Sequence, residues 1–375
     1  MRKKIIGAGI FLLLAVSLWT QEVKADPELN WPEVDQWLEE TAGNPLLEQW
    51  GVTSMTDLIG KLLHGQLELT PRQFLGAFLS ALWSEMGNYT ALVLQVAALA
   101  MLSYLLQNLS SEFAGSTIGE VGFMAVYAGI LLLLLNSFRI PLNLTHAATR
   151  EISYLSTMMI PALAALTAAS GRAAGAAVQG SLILSGLSFL LMIFEKVMVT
   201  AVAGLGVAEA VNFLSPKTVL SRLTSLGRNL VQKGIRLLCT IFLFIMGATG
   251  LVMPAADRLL NKTGTALISA VPVVGDAMSG AMETVLAGTA MVKNGAGAAA
   301  CILLLCFCLV PMAKMAAIWL IYRLMGALLA PVSDTRVSGL AEALGRHVSL
   351  LISILAAGMV IFTAAVGVFV SSSAA

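Results

Sequence analysis

Ser215–Ala256 reads SPKTVLSRLTSLGRNLVQKGIRLLCTIFLFIMGATGLVMPAA. Its first part, to Arg236, carries Lys217, Arg222, Arg228, Lys233 and Arg236 and no acid. The second part, Leu237–Ala256, runs 20 residues without a charge. At about 1.5 Å of rise per residue, such a helix covers the roughly 30 Å hydrocarbon layer of a bilayer. Short segments rich in lysine and arginine stay on the cytoplasmic side. The reading therefore places a cytoplasmic basic loop at 215–236, with five topology-setting cations, and a membrane span after it.

Composition agrees. Of 375 residues 58% are hydrophobic and 11% charged, and the mean hydropathy is +0.87. Soluble domains have about 25% charged residues. So few charges exclude a water-soluble fold of this length. No basic stripe of the nucleic-acid-binding kind is present. The four cysteines, Cys239, Cys301, Cys306 and Cys308, lie inside apolar runs and have no zinc-ligand spacing.

From the N-terminus, residues 1–25 read as a cleaved signal peptide, with an uncleaved signal anchor as the alternative. Arg2, Lys3 and Lys4 precede an apolar segment, and Val23-Lys24-Ala25 is a cleavage site. Residues 26–70 then form an acidic extracytoplasmic domain of short helices, with nine acids against Lys61 alone. Thr70-Pro71-Arg72-Gln73 has the pattern of a capping box. The helix it starts, 71–89, is amphipathic. It lies on the outer membrane surface or packs on the protein's own spans.

Further apolar runs follow at 90–109, 121–138, 152–169, 177–194 and 197–214, and then at 237–256, 296–313, 315–330 and 348–370. The polar connector 139–151, Arg172, the Glu195-Lys196 pair, Lys314 and the linker 331–347 separate them. Glu209 reads as a boundary residue. The expectation is an all-α polytopic membrane protein of about seven to nine transmembrane helices. A first bundle occupies 90–256 and a second membrane region 257–375. Five crossings carry the chain from an exported N-terminus to a cytoplasmic residue 215. The two arginines of the connector 139–151 fall on the side that the charge rule disfavours.

Chemistry concentrates between Leu267 and Asn294. Pro272 and Gly275 interrupt the chain, and Asp276 and Glu283, seven residues apart, share one helical face beside small residues. Acids at membrane depth face a cavity or a partner. Two readings stay open. Either 263–293 is a re-entrant segment lining a pore or groove, with Arg323 or Lys314 as partners, or it is an interfacial helix with its acids in water. No metalloprotease helix, phosphate loop or nucleophile elbow occurs. The expectation is no enzyme, no cofactor and no metal.

Several stretches carry a resemblance. They are PRQFLGAFLSALWSEM at 71–86, LLLLLNSFRIPLN at 131–143 and MMIPALAALTAASG at 158–171. Two more are ISAVPVVGDAMSGAMETVLAGTAMVKNGAG at 268–297 and PMAKMAAIWLIYRLMGALLAPV at 311–332. From about residue 70 onward the chain resembles the stage III sporulation protein AE family. The resemblance implies a multi-pass protein of the mother-cell membrane around the forespore, in an assembly that acts as a channel or feeding apparatus. It implies as partners a cytoplasmic ATPase, small membrane proteins and ring-forming intermembrane proteins, with membrane lipid around it and no nucleic acid. It supplies no catalytic residues. A stand-alone small-molecule permease is the alternative reading.

Single cysteines placed within 26–70 should react with a membrane-impermeant thiol reagent in intact cells, and cysteines within 215–236 should not. Equal labelling of both regions would refute the threading.

Overall fold

The computed structural model describes residues 31–40, 44–67, 70–112, 116–214, 220–268, 274–331 and 333–371; side chains at 107–120, 171–174 and 250–288 lie outside the described set. The expected signal peptide also lies outside it. All regular elements among the described residues are helical.

Three short helices come first: α1 (Pro32–Glu40), α2 (Pro45–Gln49) and α3 (Met55–Leu63). Ser54 caps α3 by accepting from the Asp57 N–H at 3.1 Å, which satisfies one of its free amides. Gly51 and Gly65 close the turns with φ of 59° and 64°, where glycine has no Cβ to clash. Trp37, Leu46, Met55 and Leu58 are buried beneath. This small domain docks on the large bundle by two side-chain bonds. Trp37 Nε1 donates to Glu151 at 2.9 Å, and Asn44 Nδ2 donates to the Cys306 carbonyl at 2.7 Å.

The bundle is built from very long helices. They are α4 (Pro71–Asn88), α5 (Thr90–Glu112), α6 (Ser116–Thr167), α7 (Ala173–Ile193), α8 (Thr200–Leu214), α9 (Ser221–Ile268), α10 (Val274–Leu329) and α11 (Thr335–Ser371). The expected capping box is present at Thr70 and Gln73. Helix α4 packs along α10, its Phe74 and Phe78 lining an apolar groove with Leu305, Leu309 and Met312, and it bends by 42° into α5.

The 52 residues of α6 extend about 78 Å, more than twice a hydrocarbon layer. Pro141 and Pro161 each remove one helical hydrogen bond, yet the helix runs through both. The Thr145 hydroxyl donates back to the Pro141 carbonyl one turn earlier, at 2.7 Å. Helix α6 runs antiparallel to α10. Ser137 bonds Tyr322, Thr145 meets the Met315 sulfur at 3.3 Å, and Leu163 lies near Gly297. The chain reverses at the π-helical segment Ala168–Arg172, at the Arg172 that separates two apolar runs in the sequence. Ala164 and Gly180 then face each other across the hairpin. A second π-helical segment, Phe194–Val199, joins α7 to α8 without a break.

Three expected separations are therefore not separations. Runs 121–138 and 152–169 lie on α6, 177–194 and 197–214 on α7–α8, and 296–313 and 315–330 on α10. Among the described residues five helices are long and apolar enough to cross a membrane, or six if the bent α4–α5 pair counts as one crossing, where the sequence led to an expectation of about seven to nine. The physical reason is that the polar residues read as loops find partners on other helices, so no chain break is needed to expose them. The basic loop is corrected too. Lys217 lies outside the described residues, but Arg222, Arg228, Lys233 and Arg236 stand on the first turns of α9. Their helix begins close to α8, because the Leu220 N–H donates to Asn212 Oδ1 at 2.9 Å. The linker 331–347 shrinks likewise, since α11 starts at Thr335.

Merging two pairs leaves three crossings before Ser215 where the bent α4–α5 pair crosses the membrane, and two where it does not. The small domain touches α10 at Gly295 and Cys306, whereas Arg323 faces the start of α11. Domain and basic stretch thus lie toward opposite ends of the bundle.

A Cβ at Gly206 would stand 2.5 Å from the Phe138 ring. Gly206→Ile should therefore separate α6 from α8. A loss of about 1–3 kcal/mol is expected, read as a lower unfolding temperature of the detergent-purified protein.

Candidate functional site

Charges on a helix inside an apolar bundle must be paired or reach water. Among the described residues two such clusters stand at different heights.

The first cluster joins the small domain to the bundle. Arg150 Nε donates to Glu195 Oε1 at 2.6 Å, and His146 Nδ1 lies 3.9 Å from the same oxygen. Glu195 stands on the π-helical segment. The wider turn there shifts the side-chain phase relative to an α-helix. Glu151, the next residue on α6, accepts from Trp37. Across α10, Lys314 Nζ lies 4.0 Å from Glu85 on α4.

The second cluster closes the opposite end, where α8, α10 and α11 converge. Arg346 Nη1 approaches Glu342 Oε1 at 3.1 Å, one turn away, and its Nη2 approaches Glu209 Oε1 at 3.5 Å. Arg323 Nη1 reaches Glu342 Oε1 at 3.6 Å and lies over the Trp319 ring at 6.0 Å. Glu209 is only 7% exposed. Beside it His347 is 1% exposed and meets the Phe138 ring edge-on, with neither ring nitrogen hydrogen-bonded among the described residues. One turn inward, the Tyr322 hydroxyl pairs with Ser137 and donates to the Leu134 carbonyl at 3.2 Å. The arrangement locks three helices in register. No group of three or more potential metal ligands occurs among the described residues.

The residues expected to form a site do not come together. Pro272 lies outside the described residues, while Gly275, Asp276 and Glu283 stand on the first turns of α10, their side chains outside the described set. Lys314 and Arg323 are on the same continuous helix. They lie about 46 Å and 60 Å beyond Glu283 along its axis, too far to pair with it. Their partners are Glu85 and Glu342 instead.

Sequence reading makes Glu209 a boundary residue and leaves Glu342, Arg346 and His347 in the linker 331–347. Their only signal is that charges and a histidine interrupt otherwise apolar runs. The contact that explains Glu209 lies 137 positions further on, at Arg346.

The family model described as stage III sporulation protein AE matches residues 53–373. The stage III sporulation protein AE of Bacillus subtilis (strain 168) is 24% identical over 313 residues, covering 83% of this chain and 78% of that protein. No solved structure matches.

Arg346→Met should leave Glu209 buried without its cation and destabilise the protein by about 2 kcal/mol. Glu209→Leu combined with Arg346→Met should recover much of that loss. A double-mutant cycle on unfolding midpoints measures the coupling; additive losses would show that the pair does not interact.

Proposed function

Because the chain belongs to the stage III sporulation protein AE family, we propose that this sporulation membrane protein is a component of a channel complex between mother cell and forespore. In this reading it sits in the mother-cell membrane and serves as the platform, or part of the conduit, of that complex. The family match over 53–373 is the observation that carries the proposal.

The architecture supports a platform role. Helices such as α6 and α10 are longer than a bilayer is thick, so the bundle stands beyond the hydrocarbon layer. The acidic small domain and the basic start of α9 lie toward opposite ends. The exported end then faces ring-forming proteins in the intermembrane space, and the basic end faces a cytoplasmic ATPase. Co-purification from sporulating cells tests the partners. Recovery of the ring proteins and the ATPase supports the complex; substrate uptake by the purified protein alone favours a stand-alone permease.

Asp276 and Glu283 remain the proposed conduit-lining acids, because seven residues of α-helix put them on one face. Replacing both with alanine should reduce the yield of heat-resistant spores severely while leaving membrane insertion intact. Normal spore counts would remove these acids from the conduit.

A further inference from the structure

Helix α9 has two apolar faces, and only one of them is used inside the bundle. Thr224, Val231, Ile235, Phe242 and Met246 point inward and are buried. At 100° per residue they centre on one side of the helix. Leu223, Leu226, Leu230, Leu237 and Phe244 form a second stripe, each at least 61% exposed, with Leu230 at 73% and Phe244 at 77%. Positions 223, 230, 237 and 244 recur every seven residues, so the stripe stays within a sector of about 60°. Beside it, in a sector of similar width, stand Arg222, Lys233 and Arg236, all exposed. None of these three has an ion-pair partner among the described residues.

The outer face of α9 is therefore apolar along one edge and cationic along the other. No acidic residue occurs between Ser215 and Ala256 to neutralise it. Lys233 and Arg236 stand where the 20-residue uncharged run Leu237–Ala256 begins. That run matches the thickness of a hydrocarbon layer, so its first residue marks the depth at which headgroup phosphates lie.

We propose that this face binds an anionic phospholipid. The phosphate sits between Lys233 and Arg236, and an acyl chain runs along Leu237, Leu243 and Phe244, about 12 Å further into the hydrocarbon layer. The charge selects the occupant. A zwitterionic lipid or a second copy of the same basic face would leave the cations uncompensated, whereas an anionic headgroup neutralises them. The adjoining leucines accept the chain that the headgroup carries. Membrane embedding is the only premise; the lipid site stands or falls independently of the channel reading.

Native mass spectrometry of the full-length protein, released from micelles containing equal phosphatidylglycerol and phosphatidylcholine, tests the site. The wild type should retain phosphatidylglycerol in preference. Lys233→Gln with Arg236→Gln should lower that preference about tenfold. The charge-conserving exchange Lys233→Arg with Arg236→Lys should preserve it, as should Arg72→Gln on α4. A second measurement keeps both cations in place. A bimane label on Phe244→Cys, in nanodiscs, should be quenched more by doxyl-labelled phosphatidylglycerol than by doxyl-labelled phosphatidylcholine. Equal quenching by the two lipids overturns the proposal. So does an unquenched label combined with a disulfide between two Phe244→Cys copies, which would assign the face to a second molecule. An unchanged lipid preference in a folded Lys233→Gln/Arg236→Gln protein overturns it as well.

Discussion

The bond between Arg150 and Glu195 is the constraint on which this architecture depends. Each residue sits in the middle of a long helical path, Arg150 on the outer face of the bundle and Glu195 mostly covered, where an unpaired charge facing lipid is costly. Together, at 2.6 Å, they satisfy one another. Because each charge has the other, neither needs a loop to carry it into water, and α6 and the α7–α8 path run on unbroken. The π-helical segment Phe194–Val199 belongs to the same solution, since it is the element on which Glu195 stands. Glu85 and Lys314 repeat the arrangement more loosely between α4 and α10.

This explains which features could be read from the sequence. Fold class followed from hydropathy alone, because charges too few to coat a soluble surface leave only lipid as solvent. The helix start at Thr70 and the reversal near Arg172 were legible because their signals are local. The span count was not. A charged residue inside an apolar run has two physical outcomes, a chain break or a partner on another helix. Arg139, Arg150, Glu195 and Lys314 look the same in sequence under either one. Arg150 and Glu195 were each read as interruptions; in the structure each is the reason the other does not interrupt.

The candidate site was less legible for the same reason. Local spacing linked Asp276 to Glu283, but their supposed partners Lys314 and Arg323 share one uninterrupted helix with them, and rise along that helix separates them. The cluster of Glu209, Glu342, Arg346 and Arg323 draws on three helices. Glu342 and Arg346, one turn apart on α11, are the only pair within it that spacing could have suggested. Family resemblance did not help, because it carries no residue roles over. What it did give, membership supported over 53–373, concerns the whole chain and not any one side chain.

Trp37 and Asn44 hold the small domain to two different helices, α6 through Glu151 and α10 through the Cys306 carbonyl. Helix α6 continues as a single rod to Ser137 and Phe138, which touch Tyr322, Gly206 and His347 at the far end. Pro141 lies between these contacts, and the helix runs through it without a break. A displacement of the domain therefore has a path to the histidine pocket along one helix, with no loop between.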